Sequence, residues 1–327
     1  MADKLVTEGR WVVGTDGSAR AEKAVEWAAR HVSERTVPVP LLIVHAIPEA
    51  PIPTRNAAAT ALVEGRDYKE MLEEKARRIV TDVAERLRKQ YPNLTIETAV
   101  VEGHPADILA RAAKDADQVV VGARGAGAPA MVKMLGGVSD FVVQHAQGSV
   151  AVVPEQADEH PGAPVVLGLD DSPQGRLAMA RAFQAASLRR VPLVVITAWD
   201  YGPYDAFNAE IWAHSMAEMN QMMVEEAEKL IADKVAEFPD VDVTIEPVRG
   251  RPETALVEAS KDAGLLVIGS KGRGGFASLL LGSTSRHVLR ESYCPVVVTR
   301  DWAGWKDRRG RGQSGPDSGR LGYTGRA

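Results

Sequence analysis

Gly269-Ser270-Lys271-Gly272, nine further residues, and then Gly282-Ser283 form a spacing that suits phosphate. The first glycine ends an apolar run, Leu265-Leu266-Val267-Ile268, and Gly282-Ser283 opens a helix-like run through Leu289. A glycine at a strand end lets backbone approach a ligand with no Cβ in the way. A helix start offers unpaired N–H groups and the positive end of a dipole, which favours an anion. The simplest tenant is a nucleotide polyphosphate. A second version lies upstream: Gly122-Ala123-Arg124-Gly125, ten residues, then Gly136-Gly137. Its loop is one residue longer, and Gly137 stands where the other version has Ser283. A glycine keeps the backbone donor but loses a side-chain donor, worth about 0.5–1.5 kcal/mol. The longer loop also leaves the helix start free to sit differently against the glycines.

Two acids accompany the loops. Asp16 follows Trp11-Val12-Val13-Gly14, and Asp170 follows Val165-Val166-Leu167-Gly168. Each reads as a ligand contact or as a cap of the next helix, with Ser18 and Ser172 as rival caps. Asp171 reads as an exposed loop acid or as a distant helper of Mg²⁺. Lys271, Arg273 and Arg124 lie inside the glycine loops, as phosphate partners or as solvated charges. His45 ends an apolar run and reads as a packed residue at the site's rim. The histidines lack metal-ligand spacing, and Cys294 has no cysteine partner, so no metal site is expected. Cys294 itself reads as a buried, inert thiol. Met216, Met219, Met222 and Met223 stripe one helical segment, the pattern of a packing face.

These residues need a scaffold that brings strand ends and helix starts together. Short continuous apolar runs such as Leu41–Val44 and Val119–Val121 suit strands buried on both faces. Amphipathic helical segments lie between them, at Ala21–His31, Asp67–Gln90 and Ser215–Phe238. Pro105 and Pro252 each follow a glycine-containing pair and suit the first position of a helix. The last strands fall at Val150–Val153 and Val296–Thr299. The order of these pieces occurs twice. Alternating strands and helices imply a parallel sheet with helices on both faces. The expected fold is therefore α/β: two flavodoxin-like, Rossmann-like domains. Each has five parallel strands in the order 3-2-1-4-5, and the two pack as a pseudo-dimer within the chain. Ligands in such sheets bind beyond the carboxyl ends of the strands, where the order reverses. That is where Asp16 meets Gly122, and Asp170 meets Gly269.

A length of 327 residues accommodates two such domains, expected at 1–155 and 163–300. The join is polar and carries Pro161, Gly162 and Pro164. Residues 306–327 are rich in Gly, Arg and Ser without apolar periodicity, and read as a disordered basic tail. A net charge of -5 argues against nucleic acid as a specific partner. No apolar run approaches the ~18 residues of a membrane span. The start shows no signal peptide, and one cysteine suits a reducing compartment, so a cytoplasmic location is expected.

At these residues the chain resembles the universal stress protein family in its tandem, two-domain form. The glycine spacing met in full by Gly269, Gly272, Gly282 and Ser283 is similar to the nucleotide motif of the family's ATP-binding branch. The strand-one Asp followed by a Ser, the Gly-x-Pro at Gly103 and Gly250, and Tyr293-Cys294-Pro295-Val296-Val297-Val298 also resemble family features. The resemblance covers all but the tail. It implies an ATP-binding regulator of stress or dormancy that forms dimers, often through its final strands, an arrangement that tandem members can also build within one chain. Carried over by position, Asp170 faces the ribose and Ala198 offers backbone to adenine. Gly269 and Gly272 lie along the phosphates, and Gly282, Ser283 and Thr284 hold their far end. The matching residues of the first repeat are Asp16, Ala46, Gly122, Gly125 and Gly136.

No P-loop lysine, nucleophile elbow or general base accompanies the glycines. The leading reading is thus a nucleotide-binding regulator acting on an unnamed protein partner. A slow ATPase or autophosphorylating phosphotransferase, with Ser283, Thr284 or Ser285 as acceptor, is the enzymatic alternative. A scaffold in which only the second domain binds nucleotide is the third.

Overall fold

A computed structural model describes residues 5–49, 67–123, 135–157, 162–199, 209–272 and 280–300. Gly125, Arg124, Arg273 and the tail 306–327 lie outside the described residues.

Among the described residues of the first repeat, β1 (Trp11–Gly14), β2 (Leu41–Ile47), β3 (Ile96–Glu102), β4 (Gln118–Gly122) and β5 (Val150–Val153) alternate with four helices. These are α1 (Ala19–Ser33), α2 (Tyr68–Gln90), α3 (Pro105–Ala112) and α4 (Gly137–His145). The second repeat has the same order. Its strands are β6 (Val165–Gly168), β7 (Leu193–Trp199), β8 (Val243–Arg249), β9 (Leu265–Gly269) and β10 (Val296–Thr299). Its helices are α5 (Pro173–Arg189), α6 (Ala209–Glu237), α7 (Pro252–Ala259) and α8 (Ser283–Glu291).

Local chemistry starts these helices. Ser18 and Ser172 accept from the backbone N–H of Ala21 and Gly175, capping α1 and α5. Asp67 caps α2 through Lys69 N–H. Pro105 and Pro252 occupy first helical positions, where no N–H is needed. Before them the chain bends at Gly103 and Gly250, with φ of 132° and 121°, which a side chain would resist.

All ten strands form one sheet, in the order β3-β2-β1-β4-β5-β10-β9-β6-β7-β8. Pairing is parallel except at the centre, where β5 and β10 run antiparallel with Val296 opposite Val152 and Val298 opposite Val150. This pairing corrects one expectation. Both final strands have neighbours on each side, so neither has a free edge for a second copy. Among the described strands only β3 and β8 end the sheet.

Alternation along the strands sends side chains to two apolar layers. Trp11, Val13, Leu41, Ile43, Leu193 and Phe183 belong to one layer, Val12, Leu42, Val44, Leu109, Leu266 and Ile268 to the other. Each layer runs through both repeats. Val150, Val152, Val296 and Val298 are all at most 2% exposed at the centre of the sheet. Burying each such side chain contributes about 1.5–3 kcal/mol. Arg300 adds a polar clasp across the join. Its guanidinium donates to Gln144 O (2.6 Å) and Val143 O (2.7 Å) at the end of α4, and to Leu280 O (2.6 Å) ahead of α8.

Candidate functional site

At the carboxyl ends of β1, β2 and β4 a cavity of about 460 Å³ opens between the sheet and the helices α3 and α4. Gly14, Thr15 and Asp16 form one wall, and Val44, His45 and Ala46 a second. Ile108 and Leu109 of α3 supply an apolar side. Gly122 and the α4 start, Gly136 to Ser139, form the polar end. Of the expected first-repeat residues, Asp16, Ala46, Gly122 and Gly136 thus share one cavity.

The geometry at each residue has a local cause. A Cβ at Gly14 would lie 2.5 Å from Leu109 Cδ1, so this glycine lets α3 close on the strand end. Asp16 Oδ1 accepts from Ser18 N–H (3.0 Å). It shapes the turn, while Ser18 is the cap; the rivalry left open by sequence resolves to the serine. The same holds in the second repeat, where Asp170 Oδ1 accepts from Ser172 N–H (3.2 Å). His45 is half-buried on the cavity wall, and its Nδ1 has no partner. Burial lowers its pKa below the ordinary imidazole value, opposed by a backbone bond to Thr15 and the charge of Asp16.

The helix starts after β4 and β9 differ from those after β1 and β6. Gly136 and Gly282 are N-caps without a side-chain acceptor. Their φ/ψ pairs are nearly the same, −65°/155° and −69°/159°. Gly136 N–H donates to Ala123 O (2.7 Å), and Gly282 N–H to Ser270 O (2.8 Å). The extra loop residue therefore leaves the start of α4 tied as α8 is, which corrects the expectation of a shifted helix. The additional length falls within 124–134, outside the described residues.

Two serines explain the tie: Ser139, which the sequence does not single out, and Ser285, which it suggests only as a phosphoryl acceptor. Ser139 donates from Oγ to Gly122 O (2.5 Å), and Ser285 to Gly269 O (2.8 Å). Both are buried. Each pins the first turn of its helix to the glycine ending the strand. Their signal was a serine three residues after Gly136 and after Gly282, present in both repeats although Gly137 and Ser283 differ.

In the second repeat Asp170 meets the glycine loop closely. A Cβ at Gly272 would lie 2.5 Å from Asp170 Oδ2. Ser172 Oγ lies 2.5 Å from Asp170 Oδ1 and 3.1 Å from Lys271 O, fastening that loop to the β6–α5 turn. A Cβ at Gly269 would lie 3.0 Å from the Gln174 backbone, so the start of α5 also packs here. Gly282, Ser283 and Thr284 form the start of α8, and Ala198 is the penultimate residue of β7. All stand at the carboxyl ends of the parallel strands. Asp171 is paired with Arg176 (2.7 Å) at the surface. Cys294 is buried, and burial pushes its thiol up to about 12, as an inert group requires. Among the described residues no cluster of His, Cys, Asp or Glu is arranged to hold a metal ion. None of the described helices is long and apolar enough to cross a membrane.

Together these features form a crevice with apolar walls, an acid at its mouth and an uncapped helix start at its far end. Comparison with known proteins agrees with the duplication. The model of the universal stress protein family matches residues 9–154 and again 163–300. A universal stress protein of Mycobacterium tuberculosis is 37% identical over 312 residues, covering 88% of this chain and 94% of the relative. One from Mycolicibacterium smegmatis is 35% identical over 301 residues, covering 90% and 98%. The crystal structure of a universal stress protein from Archaeoglobus fulgidus has a TM-score of 0.62 at 19% identity. It covers 90% of this chain and 99% of its own, a likeness of fold.

Proposed function

The chain belongs to the universal stress protein family, and on that premise we propose that it is an ATP-binding, cytoplasmic regulator of a stress or dormancy response. The proposed binding units are residues 1–155 and 163–300, one nucleotide in each. The observation that carries this reading is the convergence of Asp16, Ala46, Gly122 and the uncapped Gly136 helix start on one cavity of about 460 Å³. That volume lies within the range of small-ligand pockets, roughly 300–1,000 Å³.

The roles follow from the chemistry of the walls. The apolar side at Ile108 and Leu109 suits a flat base, with Ala46 backbone at its edge. Asp16 stands where a ribose hydroxyl can donate to it. Backbone N–H groups of Gly137, Val138 and Ser139 face the polyphosphate, where the helix dipole favours negative charge. Asp170, Ala198, Gly269, Gly272, Gly282, Ser283 and Thr284 are assigned the same roles in the second repeat. Mg²⁺ would accompany the phosphates through their own oxygens and water. Bound ATP acts as a ligand that stabilises the conformation presented to a protein partner, by as much as its differential affinity allows.

Mass spectrometry of the denatured native preparation tests this directly, by counting nucleotides per chain. Two are expected. Protein that carries none, and whose melting temperature ATP does not raise, refutes the proposal. Equilibrium binding at saturating ATP resolves the intermediate case, because a native maximum of one excludes a second site.

A further inference from the structure

A narrow cavity of about 60 Å³ lies on the join between the repeats, where α1 faces α5. Trp11 of β1, Trp27, His31 and Arg35 on the α1 side, and Arg181 and Arg189 of α5 line it. Trp11 and Gln118 begin β1 and β4, so this cavity sits at the end of those strands opposite Gly14 and Gly122. It is separate from the crevice assigned to nucleotide.

The repeat makes the two walls equivalent in position and different in chemistry. Trp27 corresponds to Arg181, His31 to Ala185 and Arg35 to Arg189. The first repeat contributes indole and imidazole nitrogens beside the Arg35 guanidinium, while the second contributes the guanidinium groups of Arg181 and Arg189. Neither repeat builds the cavity alone.

Three polar atoms of these lining residues are buried without a partner: Trp11 Nε1, Trp27 Nε1 and His31 Nε2. The indoles are 7% and 9% exposed. Leaving such a group unpaired costs about 1–3 kcal/mol, so native structures supply a partner. The rings are fixed. His31 stacks on Trp27 at 4.0 Å between centroids, and Trp27 packs on Trp11 at 6.0 Å. His31 Nδ1 lies 2.7 Å from Trp27 O, a carbonyl, so Nδ1 carries the hydrogen. The ring is neutral, since burial and then the nearby Arg189 charge hold it well below 6.5. Nε2 is therefore an acceptor that needs a donor.

Charge identifies the missing partner more narrowly. Arg35, Arg181 and Arg189 face Glu34 as the only acid among the residues lining the cavity. Asp117 offsets Arg35 in part, and its carbonyl takes Arg181 (2.8 Å). Arg189 is left with Glu34 at a distance, and its burial pushes its pKa down to about 10. Water would satisfy the nitrogens and leave this positive charge offset only by the distant Glu34. An anion with a hydrogen to give would satisfy both.

We propose that the join between the repeats is a second ligand site, taking a phosphate group. The Trp11 and Trp27 N–H groups and the Arg189 guanidinium hold its oxygens, and a protonated oxygen donates to His31 Nε2. A guanidinium matches such an oxyanion in geometry as well as charge. A wider crevice of about 590 Å³ shares Trp27, His31, Glu34 and Arg189 with the cavity and adds Lys23 and Arg30. It gives access from solvent and room for the organic part of a phosphomonoester.

Tryptophan fluorescence of the full chain reads the site, because two indoles are its donors. Titration with inorganic phosphate at constant ionic strength should give a saturable change. Sulfate, which has no hydrogen to donate at neutral pH, should bind more weakly. Glycerol 2-phosphate binding tighter than inorganic phosphate assigns the site to phosphomonoesters, and the reverse assigns it to the free ion. Arg189→Gln should weaken phosphate at least about tenfold, the loss of one charge-assisted bond. Trp27→Phe, which keeps a ring and removes the N–H, should weaken it as well. His31→Leu should abolish the preference for phosphate over sulfate. No saturable response in the native chain, or unchanged affinity in both Arg189→Gln and Trp27→Phe, overturns the proposal. If a variant fails to fold, a native crystal soaked in arsenate, which like phosphate keeps a proton at neutral pH, decides. Density for the ion within hydrogen-bond reach of Trp27 Nε1 supports the site, and water alone there overturns it.

Discussion

Gly137 offers a perturbation with opposite effects on binding and like effects on stability. It is the first residue of α4 and lines the 460 Å³ cavity. A Cβ at this position would meet nothing within 4 Å. Gly137→Ser and Gly137→Asp therefore both enter without a clash. Either should raise stability slightly, by about 0.5 kcal/mol, from reduced backbone freedom in the unfolded chain and, for Asp, from the helix dipole. Their effects on ATP should diverge. Serine restores the hydroxyl that Ser283 has in the second repeat, one hydrogen bond of about 0.5–1.5 kcal/mol, or about two- to twelvefold tighter binding. Aspartate places a carboxylate against the phosphates. At roughly 5 Å and an effective dielectric near 20, each like-charge pair costs about 3 kcal/mol, or about 100-fold weaker binding. Isothermal titration calorimetry in a Ser283→Asp background isolates this site, and thermal unfolding without nucleotide reads stability. Serine and aspartate variants that bind ATP equally well would refute the claim that phosphates sit at the start of α4.

Three further outcomes follow from particular contacts. Gly148→Ala should destabilise the chain by about 1–3 kcal/mol in chemical denaturation, because its Cβ would lie 2.1 Å from Ala113 O, a backbone atom that cannot rotate away. Arg300→Ala should cost about 1–3 kcal/mol, since its charged donors reach carbonyls of both repeats and partial exposure discounts each bond; proteolysis between the repeats should rise with it. His31 has a folded-state pKa well below 6.5, so the unfolded chain binds its proton first. Its contribution is present above 6.5 and lost as pH falls below it. His31→Leu should accordingly flatten the fall in melting temperature between neutral and mildly acid pH, and an unchanged slope would count against a buried neutral ring.

The duplication and the type and order of the elements were written in one-dimensional signals. Leu41–Val44 and Val119–Val121 are continuous apolar runs because strands buried on both faces meet only side chains. Ser18, Ser172, Pro105 and Pro252 mark helix starts because capping chemistry is local, complete within a few residues. The glycine spacing was legible for the same reason: loop and helix start are contiguous in the chain.

Tertiary structure decided what lies between distant segments. Pairing of β5 with β10 turned the final strands from docking edges into the centre of one sheet, a choice between partners that identical strand chemistry cannot express. Ser139 and Ser285 became anchors only when their helices folded back on β4 and β9, so this anchoring role was not legible beside Gly137 and Ser283. The phosphate-sized cavity depends on Trp27 and Arg189 meeting across the join. Composition and periodicity report what a residue prefers to do with its own neighbours. Which orphaned nitrogen ends up facing which buried charge is set by the packing of two whole repeats, and only the folded chain contains that.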